Sequence, residues 1–143
     1  VYVTGAMGAA LAGFEALRDR TGAGSDAYRR PLPLLAEGRK LAPAVTAMMD
    51  VSDGLLIDAQ RMAVASGATI ALDTAAIPIA LPEARRDEAL RWGDDYQLLF
   101  TAPATLALPV PAQPIGTVLP MGDDPLLLDG SAPAPDDALG YRH

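Results

Sequence analysis

Residues 46–55 constrain the fold of this chain most, because they join an apolar run to a helical pattern through two acids. Asp50 and Asp53 lie three residues apart, with Ser52 between them and a glycine after them. Apolar positions at helical spacing then begin. A strand ending at carboxylates, followed by a turn and a helix N-terminus, suits a metal ion and a phosphate, since the first N–H groups of the helix have no partner within it.

These residues have two interpretations. Hard carboxylate oxygens suit Mg²⁺, which completes its octahedron with water and substrate phosphate, and Ser52 would then offer a hydroxyl or N–H to a phosphate. Alternatively, Asp53 caps the following helix and interacts with its dipole. Capping needs only one acid, so Asp50 remains unexplained by it. The residues alone leave both interpretations open.

The net charge of the chain limits which ligands and partners this turn can bind. Eleven Lys and Arg against 18 Asp and Glu give a formal net charge of −7. Such an acidic chain is poorly suited to nucleic acid or to an anionic membrane, and we expect neither as a partner. We expect a divalent cation to mediate contact with a phosphorylated ligand. The absence of cysteine excludes disulfides and thiolate metal sites.

The order of predicted elements favours a mixed α/β sandwich of the α+β class, a mixed sheet flanked by helices, over a doubly wound sheet. The 143 residues, half of them apolar, suit one domain with a sizeable core. No apolar run approaches the ~20 residues that cross a bilayer, so we expect a cytoplasmic protein. Strands are predicted near 1–3, 44–49, 69–73, 96–101, 114–119 and 125–128, and helices over 9–20, 34–41, 55–66 and 83–90.

The helix predicted over 55–66 follows the acidic turn. Ser52 or Asp53 is its expected N-cap, and Gly67 has the position of a glycine that ends a helix. Its apolar residues share one face, from which Asp58 is expected to point away. The strand before it, over 44–49, is expected to be buried.

A second acidic turn, Asp94 and Asp95, lies between Trp92 and a β-prone run that begins with Tyr96. Adjacent acids in a turn are commonly turn residues, and the two aromatics are commonly part of a core. The aromatics also suit a site that frames a ring-bearing ligand.

Several stretches together resemble the C-terminal half of thiamine-monophosphate kinases. That family shows an Asp-x-Ser-Asp-Gly-Leu element and a Gly-Glu-Asp-Tyr-Glu-Leu element, in this order and at comparable spacing. The matching stretches are Val3-Thr4-Gly5, Arg30-Pro31 with Pro33, residues 47–55, Gly93-Asp94-Asp95-Tyr96 with residues 98–101, Ile115-Gly116, and Gly140-Tyr141 with His143.

The resemblance implies an enzyme that transfers the γ-phosphoryl group of ATP to thiamine monophosphate, giving thiamine diphosphate and ADP. By position, Asp50 and Asp53 would be Mg²⁺ ligands and Ser52 would contact ATP. Asp94 and Tyr141 stand at positions expected to touch the thiamine substrate. The sequence departs from the family pattern at Asp94, at Gln97 and at Ala9, where the family has Glu, a second acid and often Asp.

The resemblance also implies a longer protein, a homodimer, whose N-terminal domain supplies further metal-binding acids and the dimer core. Residues 1–143 would be its C-terminal domain, and we expect this fragment alone not to phosphorylate thiamine monophosphate. Two alternatives remain: a related ATP-dependent synthetase with another substrate, or a non-catalytic binding or assembly domain on the same scaffold.

Overall fold

The structure is a computed structural model that describes residues 1–141. The helices are α1 (Ala9–Arg18), α2 (Asp26–Arg29), α3 (Leu35–Leu41), α4 (Leu55–Ser66) and α5 (Arg86–Arg91), with 3-10 turns at Thr74–Ala76 and Glu83–Arg85. The strands are β1 (Tyr2–Val3), β2 (Ala47–Asp50), β3 (Ala68–Leu72), β4 (Leu98–Thr101), β5 (Gln113–Pro114), β6 (Gly116–Pro120) and β7 (Leu126–Leu128). The predicted mixed α+β class is confirmed.

The strands form two sheets. The four-stranded sheet has the order β2-β4-β1-β5 and is antiparallel throughout. The three-stranded sheet has the order β6-β3-β7, with β3 antiparallel to β6 and parallel to β7. The strand predicted over 114–119 therefore divides between the sheets, with the fully buried Ile115 at the crossing point.

Side-chain alternation divides the four-stranded sheet between two hydrophobic clusters. Tyr2, Phe100 and Met48 are cross-strand neighbours, so they share one face. That face packs on Leu41 of α3, and the Tyr2 and Phe100 rings stack at 5.4 Å. Val3 and Leu99 face the other way, into the main core around α4.

Helix α4 joins the two sheets, because it packs against β2 of one and against β3 and β7 of the other. Its bounds match the predicted 55–66, and Gly67 ends it in the left-handed conformation at φ 60°. The N-cap prediction is wrong: Gly54, at φ 121°, occupies that position, and a glycine has no side chain that could cap the helix. Asp58 is also not where we expected it, since it is fully buried.

Two further predictions differ from the structure. No helix was predicted between residues 20 and 34, but α2 lies there, because a single turn is too short to show helical periodicity in sequence. β2 was expected to be buried, but it is half-buried and ends at the exposed Asp50, because β2 is an edge strand. None of the helices in residues 1–141 has both the length and the apolarity needed to cross a membrane.

Candidate functional site

Three chain segments meet beyond the end of β2, and backbone hydrogen bonds join them. The N–H of Asp94 donates to the carbonyl of Ser52 at 2.9 Å, and the N–H of Tyr96 donates to the carbonyl of Val51 at 2.9 Å. From the C-terminal segment, the N–H of Tyr141 donates to the carbonyl of Asp53 at 2.8 Å. The acidic turn after β2 is therefore held from two sides.

Glycine makes this close approach possible at two positions. A Cβ on Gly93 would collide with the carbonyl oxygen of Ser52 and lie 3.2 Å from the Cα of Asp53. A Cβ on Gly140 would collide with the carbonyl oxygen of Asp53. The second acidic turn and the C-terminal segment can therefore reach the first turn only because these positions lack a side chain.

The meeting segments enclose a cavity of about 540 Å³, which we call the acidic cavity. Its lining includes four of the five predicted site residues: Ser52, Asp53, Asp94 and Tyr141. The rest of its lining is Arg91, Trp92, Gly93, Ala138 and Gly140. Positions far apart in sequence are thus brought to one place.

Asp50, the fifth predicted residue, lines a different cavity of about 590 Å³, which we call the apolar cavity. Tyr96 shares its wall, and the other lining residues are Pro31, Pro33, Leu34, Leu35, Gly38, Arg39, Ala42 and Leu98. The predicted metal-ligand pair, Asp50 and Asp53, is therefore divided between two neighbouring cavities.

Tyr96 connects the two cavities electrostatically. Its hydroxyl donates to Asp94 Oδ1 at 3.3 Å. Burial raises the pKa of the Tyr96 phenol, and the charges of Asp94, Asp50 and Asp53 raise it further. A phenolate at Tyr96 would be repelled by each of the three carboxylates, so the ionisation of this one hydroxyl group depends on acids that line both cavities.

Asp53 is tied to the helix that follows it. Arg61 Nη1 donates to Asp53 Oδ2 at 2.5 Å and to Asp58 Oδ1 at 2.8 Å. Asp58 Oδ2 accepts the N–H groups of Ser52 and Asp53 at 2.9 and 3.1 Å. The hydrogen bonds to the two carboxylates raise the pKa of Arg61. Helix α4 thus supports the turn through side chains.

The two acids of the second turn have different surroundings. Asp94 lines the acidic cavity, whereas Asp95 accepts the N–H groups of Gly8 and Ala10 at 2.5 and 2.9 Å and so caps α1. Burial raises the pKa of Asp95, although hydrogen bonds from the start of α1 oppose that shift. Asp95 is thus a structural acid, and Asp94 is the one that faces the cavity.

The backbone on both sides of Asp95 is strained. Asp94 has φ 65° and Tyr96 has φ 50°, a conformation that residues with a Cβ rarely adopt. Such conformations persist where the surrounding structure enforces them, and they cluster at ligand sites. Here the capping contacts of Asp95 and the backbone bonds to the first turn enforce the strain.

Trp92 packs against Phe14 with ring centroids 5.4 Å apart, as the core-packing interpretation predicted, and it also lines the acidic cavity. Its indole N–H is buried and has no acceptor among residues 1–141. His143, the only histidine, lies outside the described residues.

Our sequence reasoning missed three residues of this site. Asp58 and Arg61 are an i, i+3 pair of opposite charge, a spacing that indicates a helical ion pair. Arg91 bonds Asp137 at 2.8 Å and so anchors the C-terminal segment, 46 residues away. The first pair was visible in the sequence, whereas the partner of Arg91 was not.

The fit of a divalent cation can be tested against these groups. Within residues 1–141, no three His, Cys, Asp or Glu side chains are grouped as a protein-only metal site requires. Mg²⁺ is commonly held by only one or two carboxylates, together with water and substrate phosphates. The donor chemistry of Asp50 and Asp53 therefore fits Mg²⁺ only as a site completed by other ligands.

The chain is similar to known proteins both in sequence and in fold. A family model described as AIR synthase related protein, C-terminal domain, matches residues 1–119. The thiamine-monophosphate kinase of Halobacterium salinarum is 35% identical and is matched over 100% of this chain and 52% of its own length.

Two solved structures are similar in fold. The crystal structure of thiamine-monophosphate kinase from Stenotrophomonas maltophilia K279a has a TM-score of 0.80 at 29% identity, covering 92% of this chain and 50% of that one. AaThiL complexed with AMPPCP and TMP has a TM-score of 0.80 at 26% identity, and the match covers 99% of this chain and 50% of that one. The chain thus spans about half the length of these relatives.

Proposed function

Because the chain belongs to the family of AIR synthase related proteins, C-terminal domain, we propose that it is the C-terminal domain of a kinase for thiamine monophosphate. The reaction transfers the γ-phosphoryl group of ATP to thiamine monophosphate and yields thiamine diphosphate and ADP. The observation that carries the proposal is the convergence of Ser52, Asp53, Asp94 and Tyr141 on one cavity. The complex of a similar protein, AaThiL, with AMPPCP and TMP supports both substrates.

Each residue of the cavity has a part in this proposal. Phosphoryl transfer depends on positioning and charge neutralisation rather than on a covalent nucleophile. Ser52, at the turn before α4, contacts ATP. Asp94 attracts the cationic thiazolium ring of the substrate, and Tyr141 contacts the substrate from the C-terminal segment. Asp94 is one methylene shorter than the glutamate of the family pattern, so the substrate approaches the second turn more closely.

Asp50 and Asp53 are the residues that would hold Mg²⁺, which neutralises phosphate charge when bound. Asp50 is exposed at the end of an edge strand, and Asp53 forms an ion pair with Arg61. In the proposed enzyme, an N-terminal domain in the remaining half of the protein supplies further acids. The proposed whole protein is a cytoplasmic homodimer.

A chimeric enzyme tests this proposal. This chain would replace the matching half of the Stenotrophomonas maltophilia kinase, which has the same fold. With ATP, MgCl₂ and thiamine monophosphate, we expect the chimera to form thiamine diphosphate and ADP in equal amounts. We expect the 143-residue chain alone to form neither. The unmodified kinase is the positive control.

Variants of the chimera test the residue roles. Asp53→Asn should lower turnover and raise the Mg²⁺ concentration needed for half-maximal rate, whereas Asp19→Asn, a carboxylate paired with Arg18 on the surface, should change neither. A folded chimera that forms no thiamine diphosphate would contradict the proposal. If the chain then still bound thiamine monophosphate, seen in the emission of its single tryptophan, the non-catalytic domain would be the correct alternative.

A further inference from the structure

Asp58 is an unusual residue for the interior of this protein. Its side chain is 0% exposed, within a helix whose neighbouring residues Leu55 and Ala59 belong to the main core. A buried carboxylate is costly unless hydrogen bonds and an opposite charge compensate it. A residue of this kind therefore needs partners, and those partners indicate its role.

Within residues 1–141, the Asp58 carboxylate bonds two N–H groups of the turn and the Arg61 side chain, which also bonds the turn. One oxygen accepts the N–H groups of Ser52 and Asp53, and the other accepts Arg61 Nη1 at 2.8 Å. These N–H groups precede α4, whose own N-cap is Gly54. Asp58 therefore orders the turn before the helix.

Arg61 provides a second connection between Asp58 and the turn. The same Nη1 atom bonds Asp58 and Asp53. Asp53 is therefore bonded to α4 twice, through its backbone N–H to Asp58 and through its carboxylate to Arg61. Arg61 is 42% exposed and reaches this position from outside, whereas Asp58 is enclosed. The orientation of Asp53 toward the acidic cavity thus depends on the Asp58–Arg61 pair.

We propose that Asp58 is a positioning residue that, together with Arg61, sets the orientation of Ser52 and Asp53 for the phosphoryl-transfer site. The kinetic part of this inference rests on the proposed function. The geometric part concerns the protein itself and is measurable on the 143-residue chain. Asp58 touches no substrate; its effect passes through the two N–H groups and the guanidinium.

The first experiment measures geometry in the chain alone by NMR. In Asp58→Asn, the amide group has only one acceptor oxygen. Its NH₂ group then faces either the two backbone N–H groups or the Arg61 guanidinium, all of which are donors. We expect the amide hydrogens of Ser52 and Asp53 to exchange at least tenfold faster, and the carboxyl ¹³C signal of Asp53 to shift. Arg61→Met should shift the Asp53 carboxyl signal while leaving the two amides protected. Asp19→Asn is the matched control and should do neither.

The second experiment measures kinetics in the chimera. Asp58→Asn should lower kcat at least tenfold, with a smaller change in KM for thiamine monophosphate, and Arg61→Lys should restore part of the rate lost in Arg61→Met. A general loss of stability would instead lower the melting temperature and the active fraction. It would not lower kcat more than it changes KM, and Arg61→Lys would not restore the rate.

The two experiments separate the possible failures. If the unsubstituted chimera is inactive, the proposed function fails, and the positioning inference is judged by NMR alone. Unchanged amide exchange and an unchanged Asp53 carboxyl signal in Asp58→Asn would overturn the inference. In an active chimera, unchanged kinetics in Asp58→Asn would overturn it as well.

Discussion

The two acidic turns of the site resemble each other in composition but differ in what supports their carboxylates. In the first turn, Asp53 is supported locally, by Asp58 and Arg61 within eight residues. In the second turn, Asp95 bonds N–H groups of α1 that lie 85 and 87 residues away. The carboxylate of the first turn is thus supported by its own helix, and that of Asp95 by a helix distant in sequence.

This difference shows why residue type does not determine the role of an acid. Asp94 and Asp95 are adjacent and chemically identical, yet one faces a cavity and the other caps a helix. Their roles differ because Asp95 meets the N–H groups at the start of α1, whereas Asp94, with its left-handed backbone, lines the cavity. The following predictions test how independent the two turns are.

The largest expected effect comes from forcing the two turns apart. In Gly93→Ala, the new Cβ would collide with the carbonyl of Ser52, so the backbone must move and the Asp94–Ser52 hydrogen bond is lost. We expect the free energy of unfolding to fall by about 3 kcal/mol or more, at the upper end of overpacking effects. Urea denaturation followed by circular dichroism measures it.

The matched control is Gly24→Ala. Within the described part of the chain, no atom outside Gly24 and its two chain neighbours lies within 4 Å of a Cβ at this position, and its φ is not positive. This variant should be as stable as the original or slightly more stable, since alanine restricts the unfolded chain. Equal stability of the two variants would mean that the turns do not pack as closely as described.

Much of the fold was predictable because local pattern determines it. The helix over 55–66 and its terminal Gly67 follow from apolar spacing and from the conformational freedom of glycine. The strand predicted near 125–128 likewise ends locally, at Asp129 and Gly130, which both have positive φ. These features involve neighbours in sequence, so a single sequence contains the necessary information.

The site was predictable only where the chain forms it locally. The N-cap of α4 was wrongly assigned because Ser52 and Asp53 lie before the N-cap residue Gly54, and their N–H groups bond Asp58, the fourth residue of the helix. The different roles of Asp94 and Asp95 depend on where α1 lies. Spacing along the chain does not contain that information, and neither does it show that Asp50 and Asp53 line different cavities.

A smaller effect should separate the two acids of the second turn. Asp95→Ala leaves the N–H groups of Gly8 and Ala10 without their acceptor, which should cost about 2 kcal/mol. Asp94→Asn keeps a side chain that tolerates the left-handed backbone at this position and removes only a cavity-facing charge, so its effect should stay within about 0.5 kcal/mol. Equal losses in thermal or urea unfolding would mean that both acids are structural.

The smallest expected effect is a change in the titration of Tyr96, which senses both turns. Burial and the charges of Asp94, Asp50 and Asp53 raise its pKa in the folded protein, so the folded state retains the phenolic proton longer than the unfolded state. This contribution to stability is complete below the ordinary pKa of about 10 and is lost as the pH rises through the folded pKa.

Asp94→Asn removes the charge that acts most strongly on Tyr96 and should lower the pKa of Tyr96 most, because less repulsion then opposes the phenolate. Asp50→Asn and Asp53→Asn should each lower it less. NMR of ring-labelled tyrosine distinguishes Tyr96 from the other three tyrosines. If substitutions in the first turn left Tyr96 unchanged while Asp94→Asn lowered its pKa, the two acidic turns would be electrostatically independent, and only their backbones would join them.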